Sequence, residues 1–230
     1  TGHPAGWAVF SAMLALAGLP IYIHAPKFYV DEYGVGLAAL GSVLFALRLI
    51  DVVQDPLLGW LAERTRARRG AMVAGAAAVM AGAMVALFAV PPPVAPLAWF
   101  ALTLTVLFSA FSFLTIACYA EGVAKAATLG PGGHVRLAGW REGGALLGIS
   151  AAAVAPVALG ALTAQPFAGF ALAFALLAAL AVAGMRGEWQ GARAGESGLR
   201  ALLRPVLGDA TARRLLLIAL LNAMPVAVTS

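Results

Sequence analysis

The chain has 230 residues, 62 % of them hydrophobic and only 11 % charged, with a mean hydropathy of +0.92. So little polar surface excludes a water-solvated globular exterior. The net charge of +5 falls on short connecting segments without a basic domain, so it follows membrane topology and not nucleic-acid binding.

Runs of about 20 apolar residues can cross a hydrocarbon core roughly 30 Å thick. The sequence places six in series, at about 6–26, 36–62, 71–90, 96–120, 138–163 and 166–185. The first exceeds the apolar length of a signal peptide and lacks a basic leader, so it reads as a retained span. Pro20 is expected to kink it, and His24 near its outer end reads as a capping or interface residue. Trp7, Trp60, Trp99, Trp140 and Trp189 lie mostly near span ends, where indole rings anchor a helix at the membrane surface.

A seventh run begins near 215 and is still apolar at Ser230, and there is no initiator Met, so the chain is expected to be part of a longer protein. Residues 1–186 then form an N-terminal six-helix bundle, 187–212 a linker, and 213–230 the start of a seventh helix. In the linker Leu199, Leu202, Leu203 and Val206 recur at helical spacing with Arg200 and Arg204 between them, an amphipathic pattern. The lone cysteine, Cys118, falls in the fourth span and excludes an intrachain disulfide.

Arginines follow the even-numbered spans: Arg64, Arg66, Arg68 and Arg69 after the second, Arg136 with Lys125 between the fourth and fifth, and Arg186 onward after the sixth. The opposite connections are short (Asp31-Glu32-Tyr33-Gly34, Pro91-Pro92-Pro93, Gln165-Pro166), and Lys27 is their one base. The asymmetry predicts a multi-pass membrane protein with a cytoplasmic N-terminus, and the excess of Arg over Lys with abundant Ala suggests a bacterial source, hence the inner (plasma) membrane. Small residues, including Gly75, Gly82, Gly143, Gly144 and Gly148, provide faces for close helix packing.

Charge inside the second span needs a reason. Asp51 and Asp55 are four apart and Arg48 precedes Asp51 by three, so all three share one helix face. Two such carboxylates cannot both stay ionised cheaply in hydrocarbon. The pair takes up a proton, binds Na⁺ or is neutralised by Arg48. Gln54 and Thr115 are candidate additional oxygen ligands for a hard cation. Arg141 and Glu142, after Trp140 in the fifth span, are candidates for a solute-facing charge pair. Where the second span closes, Glu63 can pair with neighbouring arginines and act as a gate.

Gly59-x-Leu61-Ala62-Glu63-Arg64-x-x-x-Arg68-Arg69 resembles the cytoplasmic loop motif of the major facilitator superfamily. Asp51-x-x-x-Asp55-Pro56-x-x-Gly59, with Arg64-Thr65-Arg66, is similar to its glycoside-pentoside-hexuronide:cation symporter branch. The resemblance implies an all-α fold, the six-helix N-terminal half of a twelve-helix transporter whose other half is expected in the same chain. It also implies a Na⁺ or H⁺ site at Asp51 and Asp55, functional positions at Tyr119 and Arg141, and a gate at Gly59, Glu63, Arg64, Arg68 and Arg69. The branch's sugar-binding acids of the first and fourth helices have no counterpart: no acid lies between Gly6 and Lys27, and Thr115 stands near the second position.

The function expected is alternating-access symport of a small polar solute, of sugar or glycoside type, with no cofactor beyond the coupling cation and with the lipid bilayer as surroundings. Two alternatives use the same residues. An intramembrane prenyltransferase would bridge Asp51 and Asp55 to a diphosphate through Mg²⁺, but needs a second acidic cluster. A membrane scaffold would use the Arg48–Asp51 pair for assembly alone.

Overall fold

The computed structural model describes residues 4–189, 208–211, 213, 214 and 218, the side chains of 19–21 excepted. Contacts divide the chain into two units after Ala192. In the second, the Asp209 carboxylate accepts the Thr211 N–H at 2.9 Å, which caps a helical start. The amphipathic pattern of Leu199 to Val206 and nearly all of the seventh apolar run lie outside the described residues.

The first unit is built of α1 (Pro4–Leu19), α2 (Ala25–Tyr33), α3 (Leu37–Arg64), α4 (Arg69–Phe88), α5 (Pro96–Thr128), α6 (Gly133–Gly160) and α7 (Pro166–Gly184). No strand occurs among the described residues, and six runs are long and apolar enough to cross a membrane, with α1 and α2 joined as one run of 30 residues. Hydrocarbon supplies no partner for a bare N–H or C=O, so each crossing is helical throughout. Proline is placed where its missing N–H matters least, in the first turn of α5 and of α7. At Pro20 a regular ladder cannot continue, and the expected kink takes the form of a wide turn of π type, Pro20–His24.

Two boundaries differ from the sequence reading. Asp31-Glu32-Tyr33 is the last turn of α2, not a loop. Lys27 reaches Asp31 at 2.6 Å along the helix, and Gly34, at φ +65°, ends it by giving its N–H to the Tyr29 and Val30 carbonyls. Likewise α5 runs on to Thr128 and α6 begins at Gly133, so Lys125 and Arg136 stand on helices and not between them. The chain reverses only at Gly130 and Gly132, whose φ values of +73° and +79° require glycine.

The core lies between α1, α4, α5 and α7, where Phe10, Met80, Met84, Phe100, Phe170 and Phe174 are fully buried. Trp7 belongs to it at 1 % exposure, so it packs inside the bundle and does not anchor at the lipid surface. Its N–H is spent on Glu188, at 3.2 Å. The α1–α6 contact is closer still, because a Cβ on Gly144 would lie 2.1 Å from the Ala8 carbonyl oxygen and one on Gly148 2.3 Å from that of Ala12. By contrast α3 packs mainly along α5 and leaves Phe45, Leu49, Val52 and Val53 exposed.

Gly148→Val is therefore expected to lower the thermal midpoint of the purified protein by roughly 5 °C or more, as overpacking against rigid backbone. Gly143→Ala, five residues earlier with nothing within 4 Å of its added carbon, should stay within about 1 °C of wild type. Differential scanning fluorimetry of both variants reads the contrast.

Candidate functional site

α3 carries the charged turn into a seam with α5. Arg48 is 3.7 Å from Asp51, a long ion pair, while its guanidinium lies over the Tyr22 ring at 4.8 Å and near Phe108 at 5.9 Å. Two aromatic faces thus hold the cation about as closely as the carboxylate does. One turn on, Asp55 accepts a hydrogen bond from the Ser112 hydroxyl of α5. Pro56 has no N–H, so the Val52 carbonyl, in the same stretch, loses its helical donor. Gln54 contributes a buried amide nitrogen with no partner.

The second group lines a cleft of about 160 Å³ between α1, α5 and α6, walled by Ser11, Thr115, Tyr119, Arg141 and Glu142. Arg141 lies over Tyr119 with 3.9 Å from guanidinium carbon to ring centroid. Its Nε and the Thr115 hydroxyl are both buried without a partner, and no ion pair is recorded for Arg141 among the described residues. A fixed guanidinium beside free hydroxyl and carboxylate oxygens can orient a hydroxylated or charged solute.

The structure therefore separates residues that the sequence placed together. Asp51 and Asp55 share the α3 face, but Thr115 lines the cleft with Tyr119, Arg141 and Glu142. The α5 hydroxyl that reaches Asp55 belongs to Ser112, which sequence reasoning missed. Ser112 precedes Thr115 by three, one helical turn, and that spacing was the available clue.

A third group closes the end of the bundle where the arginines gather. Glu63 pairs with Arg66 at 3.2 Å and with Arg69 at 3.8 Å. Arg69, only 3 % exposed, is bound at 2.7 Å by Glu121 of α5 and also donates to the Ala62 carbonyl. Of the expected gate residues, Glu63 and Arg69 join this network. Arg64 instead covers the Trp60 ring at 5.0 Å, Arg68 is exposed, and Gly59 has open space around it. Glu121 was missed, although it is the one acid in α5 and so stood out within an apolar run. Nearby, Glu188 takes Lys125 at 2.9 Å as well as the Trp7 N–H.

Among the described residues no three or more His, Cys, Asp or Glu side chains are grouped to hold a metal. The donors near Asp51 and Asp55 are carboxylate, hydroxyl and carbonyl oxygens, a set suited to a proton or a hard cation and unsuited to a transition metal. Two carboxylates without a second acidic group also lack the paired acidic clusters that diphosphate chemistry needs.

A family model described as MFS/sugar transport protein matches residues 5–230. YagG of Escherichia coli (strain K12), named as a glycoside/cation symporter, is 42 % identical over 43 residues, 19 % of this chain and 9 % of its own. YnaJ of Bacillus subtilis (strain 168), an uncharacterized symporter, is 40 % identical over 43 residues, with the same shares of 19 % and 9 %. The inner membrane symporter YicJ of Escherichia coli (strain K12) is 34 % identical over 50 residues, 22 % of this chain and 11 % of its own. The chain thus covers only 9–11 % of the length of these relatives. No solved structure matches it significantly.

Breaking one side of a buried ion pair typically costs about 3–5 kcal/mol, because the other charge stays in an apolar site. Glu121→Gln is accordingly expected to destabilise the bundle strongly, whereas the pair Arg69→Met with Glu121→Leu should recover most of the loss. Thermal unfolding of the single and double variants checks this, and equal losses in both would contradict it.

Proposed function

This chain belongs to the MFS/sugar transport protein family, and from that premise we propose that it is the N-terminal six-helix half of a cation-coupled symporter for a small polar solute of sugar or glycoside type. The coupling ion is Na⁺ or H⁺, the other six-helix half follows in the same chain, and the two halves alternate access to a solute held near the midplane. The membrane is the bacterial inner membrane, with the N-terminus cytoplasmic, because the arginine-bearing ends of the spans are retained on that side.

The observation that carries this reading is the pair Asp51 and Asp55 on a membrane-length helix, with Ser112 of α5 hydrogen-bonded to Asp55. Carboxylates in hydrocarbon are costly and default to an ion path. Arg48, held by two aromatic rings, lies beside the site. A Na⁺ or proton at Asp51 and Asp55 neutralises the face, with Ser112 as an oxygen ligand. The solute lies in the cleft of Thr115, Tyr119, Arg141 and Glu142, with Gln54 of α3 as a polar donor beside the ion pair, so ion and solute act on neighbouring turns of α5. Rearrangement of the pairs that join Glu63, Arg69 and Glu121 opens and closes the cytoplasmic end.

Asp55→Cys is expected to abolish Na⁺- or H⁺-stimulated uptake while the amount of protein in the membrane is unchanged, and undiminished ion stimulation would sink the reading. Ser112→Ala should keep transport but raise the half-saturating ion concentration about tenfold. Exchanging Arg48 and Asp51 separates this from a scaffold: a purely structural pair survives the exchange, whereas a coupling site does not.

A further inference from the structure

α6 contains Pro156 in its interior. Proline has no N–H, so the carbonyl four residues back, that of Ala152, has no helical donor. In hydrocarbon an open carbonyl is costly, and some other group has to meet it. His24 does so from the opposite helix: its Nε2 is 3.0 Å from the Ala152 oxygen. A carbonyl only accepts, so Nε2 carries the proton and donates.

The donor's position is as telling as its chemistry. His24 is the last residue of the wide turn Pro20–His24, the point at which α1 itself departs from regular geometry. The two interruptions, one in each helix, are therefore bridged by this single side chain. Towards the arginine-rich end, the same two helices are locked by the Gly144 and Gly148 contacts with Ala8 and Ala12, which leave no room for sliding. Beyond the bridge, Phe28 of α2 meets Phe167 at 5.1 Å, and the His24 ring lies 6.1 Å from that same Phe167.

We propose that His24 is a pin: it caps the carbonyl that Pro156 leaves open and fastens the break in the first crossing to the break in α6. His24 is then a positioning residue and touches neither ion nor solute. The bond stands whichever solute is carried.

The test is a cycle in the full-length protein, because Pro156→Ala restores an N–H to Ala152 within α6 and makes the cap redundant. His24→Ala is expected to lower the thermal midpoint by roughly 2–4 °C in the Pro156 background, to do so by less than about 1 °C in the Pro156→Ala background, and to be largely reversed by His24→Gln, which keeps a donor. Hydrogen exchange of 152–160 should quicken in His24→Ala only while Pro156 is present. Equal shifts in both backgrounds, or no response of 152–160, would overturn the assignment. Should His24→Ala not accumulate, its recovery by Pro156→Ala supports the pin and its failure to recover refutes it. Uptake is not needed for any of these readings, so a failure here leaves the symport proposal standing or falling on its own assay.

Discussion

The absence of hydrogen-bond partners in hydrocarbon is the constraint from which the rest of this bundle follows. It makes each crossing helical, favours proline at helix starts, and brings His24 to the carbonyl that Pro156 leaves open. It also forces every interior charge to find company. Arg69 finds Glu121 and a main-chain carbonyl, Glu188 finds Lys125 and an indole N–H, and Arg48 finds aromatic faces with only a distant carboxylate. The first two are closed arrangements with short contacts at the arginine-rich end. The third is loose, and Asp51 and Asp55 lie beside it.

That contrast separates charges committed to one another from those left open to a ligand. A short, buried pair such as Arg69 with Glu121 holds α4 to α5 and presents little to a ligand. The seam around Asp55 and the cleft around Arg141 keep uncommitted polar atoms: the Gln54 amide, the Thr115 hydroxyl and the Arg141 Nε. These three atoms are on α3, α5 and α6, the helices that wall the seam and the cleft. α5 is the shared wall, with Ser112 meeting Asp55 and Thr115, one turn on, lining the cleft.

The six crossings were legible because hydropathy and length alone set them. The ends of α5 and α6 were not, since a helix that leaves the hydrocarbon keeps its ladder while its side chains turn polar, and only the glycines of the Gly130–Gly132 turn mark the reversal. Spacing put Asp51 and Asp55 on one face correctly, because that is a property of a single helix. It could not assign partners to Ser112, Glu121 or Glu188, since these lie on other helices 52 to 181 residues away in sequence. Trp7 misled for a related reason: its place near a span end is that of an interfacial anchor, and the buried acceptor that draws it inward comes from the far end of the unit.

The bond between Trp7 and Glu188 spans 181 residues and joins the first helix to the turn that follows the last. At about 5–20 residues per second, the ribosome needs roughly 10–40 s to reach the acceptor after it has made the donor. Throughout that interval the opening helix sits in the membrane with an indole N–H that has no permanent acceptor and an apolar face that α6 and α7 do not yet cover. Completion of the unit is thus a late event in synthesis, and the nascent chain depends until then on the insertion machinery or on lipid to shield its first crossing.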